Sequence, residues 1–269
     1  MPAGDFEDSK MPLLDHLVEL RQRLLYSFIG MIVAFVLCYS VAGHIYNFLV
    51  QPLADATAGQ AGRRMIFTAL HEAFFTQIKV AFFAAMCFSF PLMAVQVWGF
   101  ISPGLYKKEK KAFLPFLAAT PVLFVTGAAL VYYLVIPLAW RFFLSFETPG
   151  GDGNLPMELE PKVDQYLSLV MQLIFAFGVC FELPVLIVLL AKVGIVSAAG
   201  LKAKRKYAVL IAFVVAAVLT PPDVISQVLL AVPVIILYEI SILCARFIEK
   251  HRGDPADGED AEEDEPSAV

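Results

Sequence analysis

Few side chains in this sequence could do chemistry, and the one that most needs a reason is Glu182. It stands in "GVCFELPVLIVLL", Gly178–Leu190, with apolar residues on both sides and Pro184 two places on. A carboxylate facing lipid at that depth costs a few kcal/mol. Glu182 must therefore face protein or water. One reading is an acid lining a wet cavity where it meets a substrate or partner. The other is a protonated group hydrogen-bonded to a neighbouring helix. Pro184 lacks an amide hydrogen, which leaves the Cys180 carbonyl without its helical donor and makes the backbone polar at the same place.

Three further acids invite a role. In "PLLDHLVELRQRLL", Leu13, Leu17, Leu20 and Leu24 repeat at helical spacing, and His16, Glu19 and Arg23 fall on another face. That pattern predicts an amphipathic helix at a membrane surface, with Glu19 placed for an i,i+4 pair with Arg23. Glu109 lies among Lys107, Lys108, Lys110 and Lys111 and, taken alone, reads as a solvated charge in a basic loop. Asp223 in "LTPPDVISQ" follows the turn made by Pro222 and is placed to cap the next helix. The four histidines, His16, His44, His71 and His251, do not pair at ligand spacing. With no glycine-rich phosphate loop, GxSxG or HExxH, neither catalysis, a cofactor nor a metal is expected. Cys38, Cys87, Cys180 and Cys244 each sit in an apolar run and read as small hydrophobes.

The elements that must carry these residues are membrane helices. The chain has 269 residues, 59% hydrophobic and 17% charged, and a mean hydropathy of +0.73, well above the apolar content of soluble domains. Apolar runs at 24–42, 74–101, 113–140, 166–191, 207–219 and 224–244 predict six spans, all α. The fifth is short and the sixth marginal, because Gln227 and Glu239 interrupt it. Prolines at 91, 115, 121, 137, 184 and 233 remove backbone donors inside the spans and suggest bent helices forming a curved wall with a concave face. With a cytoplasmic N-terminus, fifteen lysines and arginines fall on inner segments. Only Arg63, Arg64, Arg141 and Lys162 fall on outer loops, and Lys79 snorkels from the outer end of span two. That bias places both termini in the cytoplasm. The domain reading is a cytoplasmic N-terminal segment over 1–23, a six-helix membrane domain over 24–246 and an acidic tail over 247–269. The eight acids of its stretch 253–269, which holds no lysine or arginine, turn a net charge of +3 into −5 and predict disorder. The acidic N-terminus does not read as a removed signal peptide.

Four stretches in order, "HLVELRQRLL", "QVWGFISPGLYKKEKK", "FGVCFELPVLIVLL" and "LTPPDVISQVLLAVP", resemble the signature stretches of the TatC family of twin-arginine protein translocase subunits. The resemblance covers about 13–250. It implies a multi-pass receptor in the cytoplasmic inner membrane for folded proteins whose signal peptides carry two consecutive arginines. It also implies a glove-like wall, single-span partners of the TatA and TatB type, further copies of the chain, and the proton motive force as energy source. The positions matching Glu19 and Glu109 would form the recognition site for the arginine pair. Those matching Arg21, Pro52 and Phe100 are also implicated. Pro52 could set the bend of the outer segment, and Phe100 could pack on the signal's apolar part. Glu182 would face the concave side, draw in water and pair with a polar group on a partner helix. Asp223 stays a structural or partner-contact candidate. Two other readings compete. A small-molecule secondary transporter would use Glu182 as a proton or cation relay, but the sequence lacks half-to-half symmetry. An intramembrane enzyme would need a second catalytic group near Glu182.

Overall fold

The computed structural model describes residues 10–58, 63–101, 114–148, 155–219 and 224–252. Its helices are α1 (Lys10–Ser40), α2 (Ala42–Ala56), α3 (Glu72–Ile101), α4 (Leu114–Leu130), α5 (Ile136–Leu144), α6 (Val163–Cys180), α7 (Leu183–Val193), α8 (Ala198–Ala203), α9 (Arg205–Leu219) and α10 (Val224–Arg252). A single π-turn, Val131–Val135, joins α4 to α5. It ends just before Pro137, whose missing amide disturbs the i→i−4 ladder there. Among the described residues five stretches are long and apolar enough to cross a membrane: His16–Ser40, Glu72–Val97, Ala118–Leu144, Val163–Lys192 and Gln227–Lys250.

Two expectations meet a different structure. The amphipathic segment up to Arg23 is not separate from the first span; α1 runs unbroken from Lys10 to Ser40, because nothing between Gln22 and Tyr26 breaks a helix. The fourth span, where Pro184 predicts a disturbed helix, is interrupted at Phe181 and Glu182 between α6 and α7. The last helix is not short. α10 has 29 residues, and both polar groups that seemed to interrupt it are satisfied: Gln227 Nε2 donates to the Phe213 carbonyl at 3.1 Å, and Glu239 accepts from Arg205 at 2.6 Å. These two contacts also show that α9 and α10 form an antiparallel hairpin. The fifth run lies in α9, which has 15 residues and spans about 22 Å. It is not among the five stretches of membrane-crossing length.

The helices shuttle between two ends. The loop end holds α2 and the segments 63–71, 145–148 and 155–162; the terminal end holds the start of α1 and the end of α10. Buried side chains gather towards the loop end and around α6, including Leu49, Val131, Tyr132, Tyr166, Leu167 and Phe177. Half of the most apolar part of Val163–Lys192 is buried, against 6% for His16–Ser40. The α6–α7 span is thus central, whereas α1 lies at the margin against α3. Where α4 crosses α6, both helices use glycine. A Cβ at Gly178 would sit 2.5 Å from the Phe124 ring, and one at Gly127 would sit 2.7 Å from the Phe177 carbonyl oxygen. Such close approach is the packing that small residues permit in lipid.

Candidate functional site

At the terminal end, α1 and α3 bring together four of the sequence's polar and aromatic groups. Glu19 Oε1 accepts two hydrogen bonds from Arg23, from Nε at 2.9 Å and from Nη2 at 2.6 Å. The expected i,i+4 pair is therefore formed. Both side chains are partly screened from solvent, at 27% exposure for Arg23 and 35% for Glu19. The guanidinium lies against α3 at Gly99, where an added Cβ would come within 2.0 Å of Nη1. One position on, Phe100 stacks on His16 with ring centroids 4.2 Å apart. Arg21 does not join this group: two residues is about 200° around a helix, and its side chain is exposed. Glu109 lies outside the described residues, as do Asp223 and the acidic tail from 253 onward. His16 shared a helix face with Glu19 and Arg23 in the sequence, so its place was readable. The part played by Gly99 was not, since only the approach of a second helix gives it meaning.

Glu182 sits at the break between α6 and α7. The Phe181 and Glu182 amides still donate backwards, to Phe177 at 2.9 Å and to Val179 at 3.0 Å. The second of these is a tighter, 3₁₀-type step. Both carboxylate oxygens are buried, and neither has a hydrogen-bond partner among the described residues. The Thr120 side chain of α4, itself buried, faces the carboxyl group without meeting hydrogen-bond geometry at either oxygen. Unpaired buried polar groups are rare and costly, and they cluster where function tolerates them.

Pro52 lies inside α2 and cannot donate to the Phe48 carbonyl one turn back. The Tyr132 hydroxyl supplies that donor at 2.7 Å, with its ring stacked on Phe48 at 4.3 Å. Tyr166 donates to the neighbouring Leu49 carbonyl at 2.9 Å. Two tyrosines from the core thus bond the carbonyls one turn before the proline. The sequence could not reveal this, because both partners lie more than 80 residues away.

The loop end is tied by charge. Arg63 Nη1 donates to Glu147 Oε1 at 2.6 Å, and Nη2 donates to Oε2. Glu147 Oε1 also accepts from the Leu159 amide at 2.9 Å. These hydrogen bonds, led by the guanidinium's, hold the Glu147 carboxyl below its ordinary value. Lys79 pairs with Asp164. Backbone bridges join Ile66 to Lys162 and Thr148 to Met157. Among the described residues no three metal-ligating side chains cluster, and all four cysteines are free.

This arrangement has known counterparts. A family model described as "Sec-independent protein translocase protein (TatC)" matches residues 15–233. The chain is 51% identical over 255 residues to the Sec-independent protein translocase protein TatC of Magnetococcus marinus, covering 95% of this chain and 91% of that protein. It is 43% identical over 241 residues to the TatC of Escherichia coli K12, covering 90% of each. A crystal structure described as that of the twin-arginine translocase receptor TatC superimposes with a TM-score of 0.75 at 35% identity, over 87% of this chain and 99% of that one. On matches of this reach in both sequence and fold, the chain belongs to the TatC family of Sec-independent protein translocases.

Proposed function

We propose that this chain is the receptor and core subunit of a twin-arginine translocation system. It binds the signal peptides of folded proteins and passes them across the cytoplasmic inner membrane with single-span TatA- and TatB-type partners. The observation that carries the reading is the terminal-end cluster. There a carboxylate already accepts a guanidinium, and an aromatic platform of His16 and Phe100 lies beside it. Glu19 takes one arginine of the pair, and Glu109, from the loop that follows α3, takes the other. A planar guanidinium meets a carboxylate with two hydrogen bonds at once, which an ammonium does not reproduce. Phe100 packs on the apolar part of the signal, and Arg21 contributes from the exposed face of α1.

Six crossings with both termini in the cytoplasm fit the lysine and arginine bias, with α9 as a short fifth crossing in a curved, glove-like wall. A helix that short favours local thinning of the bilayer. Glu182, whose buried carboxylate oxygens have no hydrogen-bond partner among the described residues, supplies a polar group for a partner helix and draws water into the same region. Pro52 shapes the outer segment, and Asp223 serves the last turn or a partner. Transport draws on the proton motive force, and no step needs a catalytic residue.

The decisive experiment is peptide binding to the purified full chain. Glu19→Ala and Glu109→Ala should each weaken a twin-arginine peptide markedly and a twin-lysine peptide less. Equal losses for both peptides would count against guanidinium readout.

A further inference from the structure

The carboxylate assigned to the incoming signal is already occupied. Arg23 gives Glu19 Oε1 two hydrogen bonds from one guanidinium, the same class of contact that a ligand arginine would make. The occupant is also held in place. It is four residues from Glu19 on one rigid helix, so its effective concentration at the carboxylate is far above that of any free peptide. It is further backed by α3 at Gly99, where the absence of a side chain leaves room for Nη1. An ordinary surface pair at this spacing would extend into water; this one is nearly three-quarters shielded on the Arg23 side.

We propose that Arg23 is an internal competitor that sets the acceptance threshold of the recognition site. In the resting chain it neutralises Glu19 and stands in for the ligand. A signal peptide binds only by displacing it, and the displacement cost is the same for every ligand. A twin-arginine signal recovers that cost, because its own guanidinium rebuilds both hydrogen bonds on the carboxylate. A single arginine, a lysine pair or a passing polyamine recovers less and stays unbound. The device explains why an acidic site exposed to a cytoplasm rich in cations need not be filled by them. The proposal rests on the assignment of Glu19 to signal binding.

The test uses the full chain in detergent or nanodiscs, with fluorescent synthetic peptides that carry two arginines or two lysines ahead of an apolar segment. Arg23→Lys keeps the charge but loses the planar fork. Gly99→Ala changes no charge and pushes the flexible guanidinium out of its place, since the new Cβ would lie 2.0 Å from Nη1. Both variants should bind the twin-arginine peptide more tightly, by about fivefold for a partly buried charge-assisted pair. The twin-lysine peptide should gain by a similar factor and rise into the measurable range. In a Glu19→Gln background neither substitution should produce a gain. Unchanged or weaker twin-arginine binding in both Arg23→Lys and Gly99→Ala overturns the proposal, as does a gain that persists without the Glu19 carboxylate. If Glu19→Gln alone leaves twin-arginine binding intact, the assignment of the site itself has failed, which is a separate result. Thermal midpoints measured on each variant confirm that folded protein is compared.

Discussion

Removing one hydroxyl should reveal how the carbonyl that Pro52 leaves without a helical donor is satisfied. Tyr132→Phe deletes the donor to the Phe48 carbonyl and keeps the ring, which stacks on Phe48 at an interplanar angle of 3°. Tyr132 is 8% exposed, so water does not readily replace the lost donor. Leaving a buried carbonyl unpaired costs about 1–3 kcal/mol. In a Pro52→Ala background the amide at position 52 can make the helical bond to the same carbonyl. Tyr132→Phe should then cost under about 1 kcal/mol, giving a coupling of roughly 1–2 kcal/mol between two residues 80 positions apart in sequence. Equilibrium unfolding of the purified protein, followed by intrinsic fluorescence across the four chains of this double-mutant cycle, measures the coupling directly. Tyr133→Phe is the control, because that side chain is 72% exposed and should change stability by less than about 0.5 kcal/mol. If Tyr132→Phe costs the same with and without the proline, the hydroxyl is not replacing the missing amide and this account is wrong.

Other consequences are open to measurement. Gly178→Ala should lower the thermal midpoint and loosen the contact between α4 and α6, because the new methyl meets the Phe124 ring; Gly43→Ala, with nothing within 4 Å, should be nearly silent. Glu147 is ionised at neutral pH and its carboxyl is held low, so its contribution is full above its ordinary value of 4.5 and is lost as pH falls through the lowered one. Hydrogen-exchange protection over 155–162, taken relative to the intrinsic rate at each pH, should therefore fall in acid, and Glu147→Gln should show the reduced protection already at neutral pH. Glu182→Ala and Glu182→Gln should both impair export while leaving peptide binding at the terminal end intact. Export equal to the parent in both variants, with assembly unchanged, would remove Glu182 from the transport step.

The helical class and the positions of the long spans were readable from apolar runs, because in lipid the backbone must satisfy itself within each segment. The Glu19–Arg23 pair was readable too, since it depends only on helical spacing. What failed to show were features that a second segment decides. The length of α10 was underestimated because Gln227 and Glu239 looked like interruptions, whereas α9 supplies a partner for each. The join at Arg23 was drawn where polarity changes, but polarity does not end a helix. Tyr132 and Tyr166 drew no notice in the sequence; only the fold sets them beside the carbonyls around Pro52. Gly99 carried no signal at all, because a missing side chain matters only for what comes to rest against it.

The concentration of buried side chains towards the loop end divides labour along the molecule. Changes at the opposite tip, where Glu19 and Arg23 lie on the marginal α1 and Phe100 at the last turn of α3, touch few of the side chains buried around α6. Side chains at that tip can therefore be varied, in a lineage or in a library, while the scaffold stands.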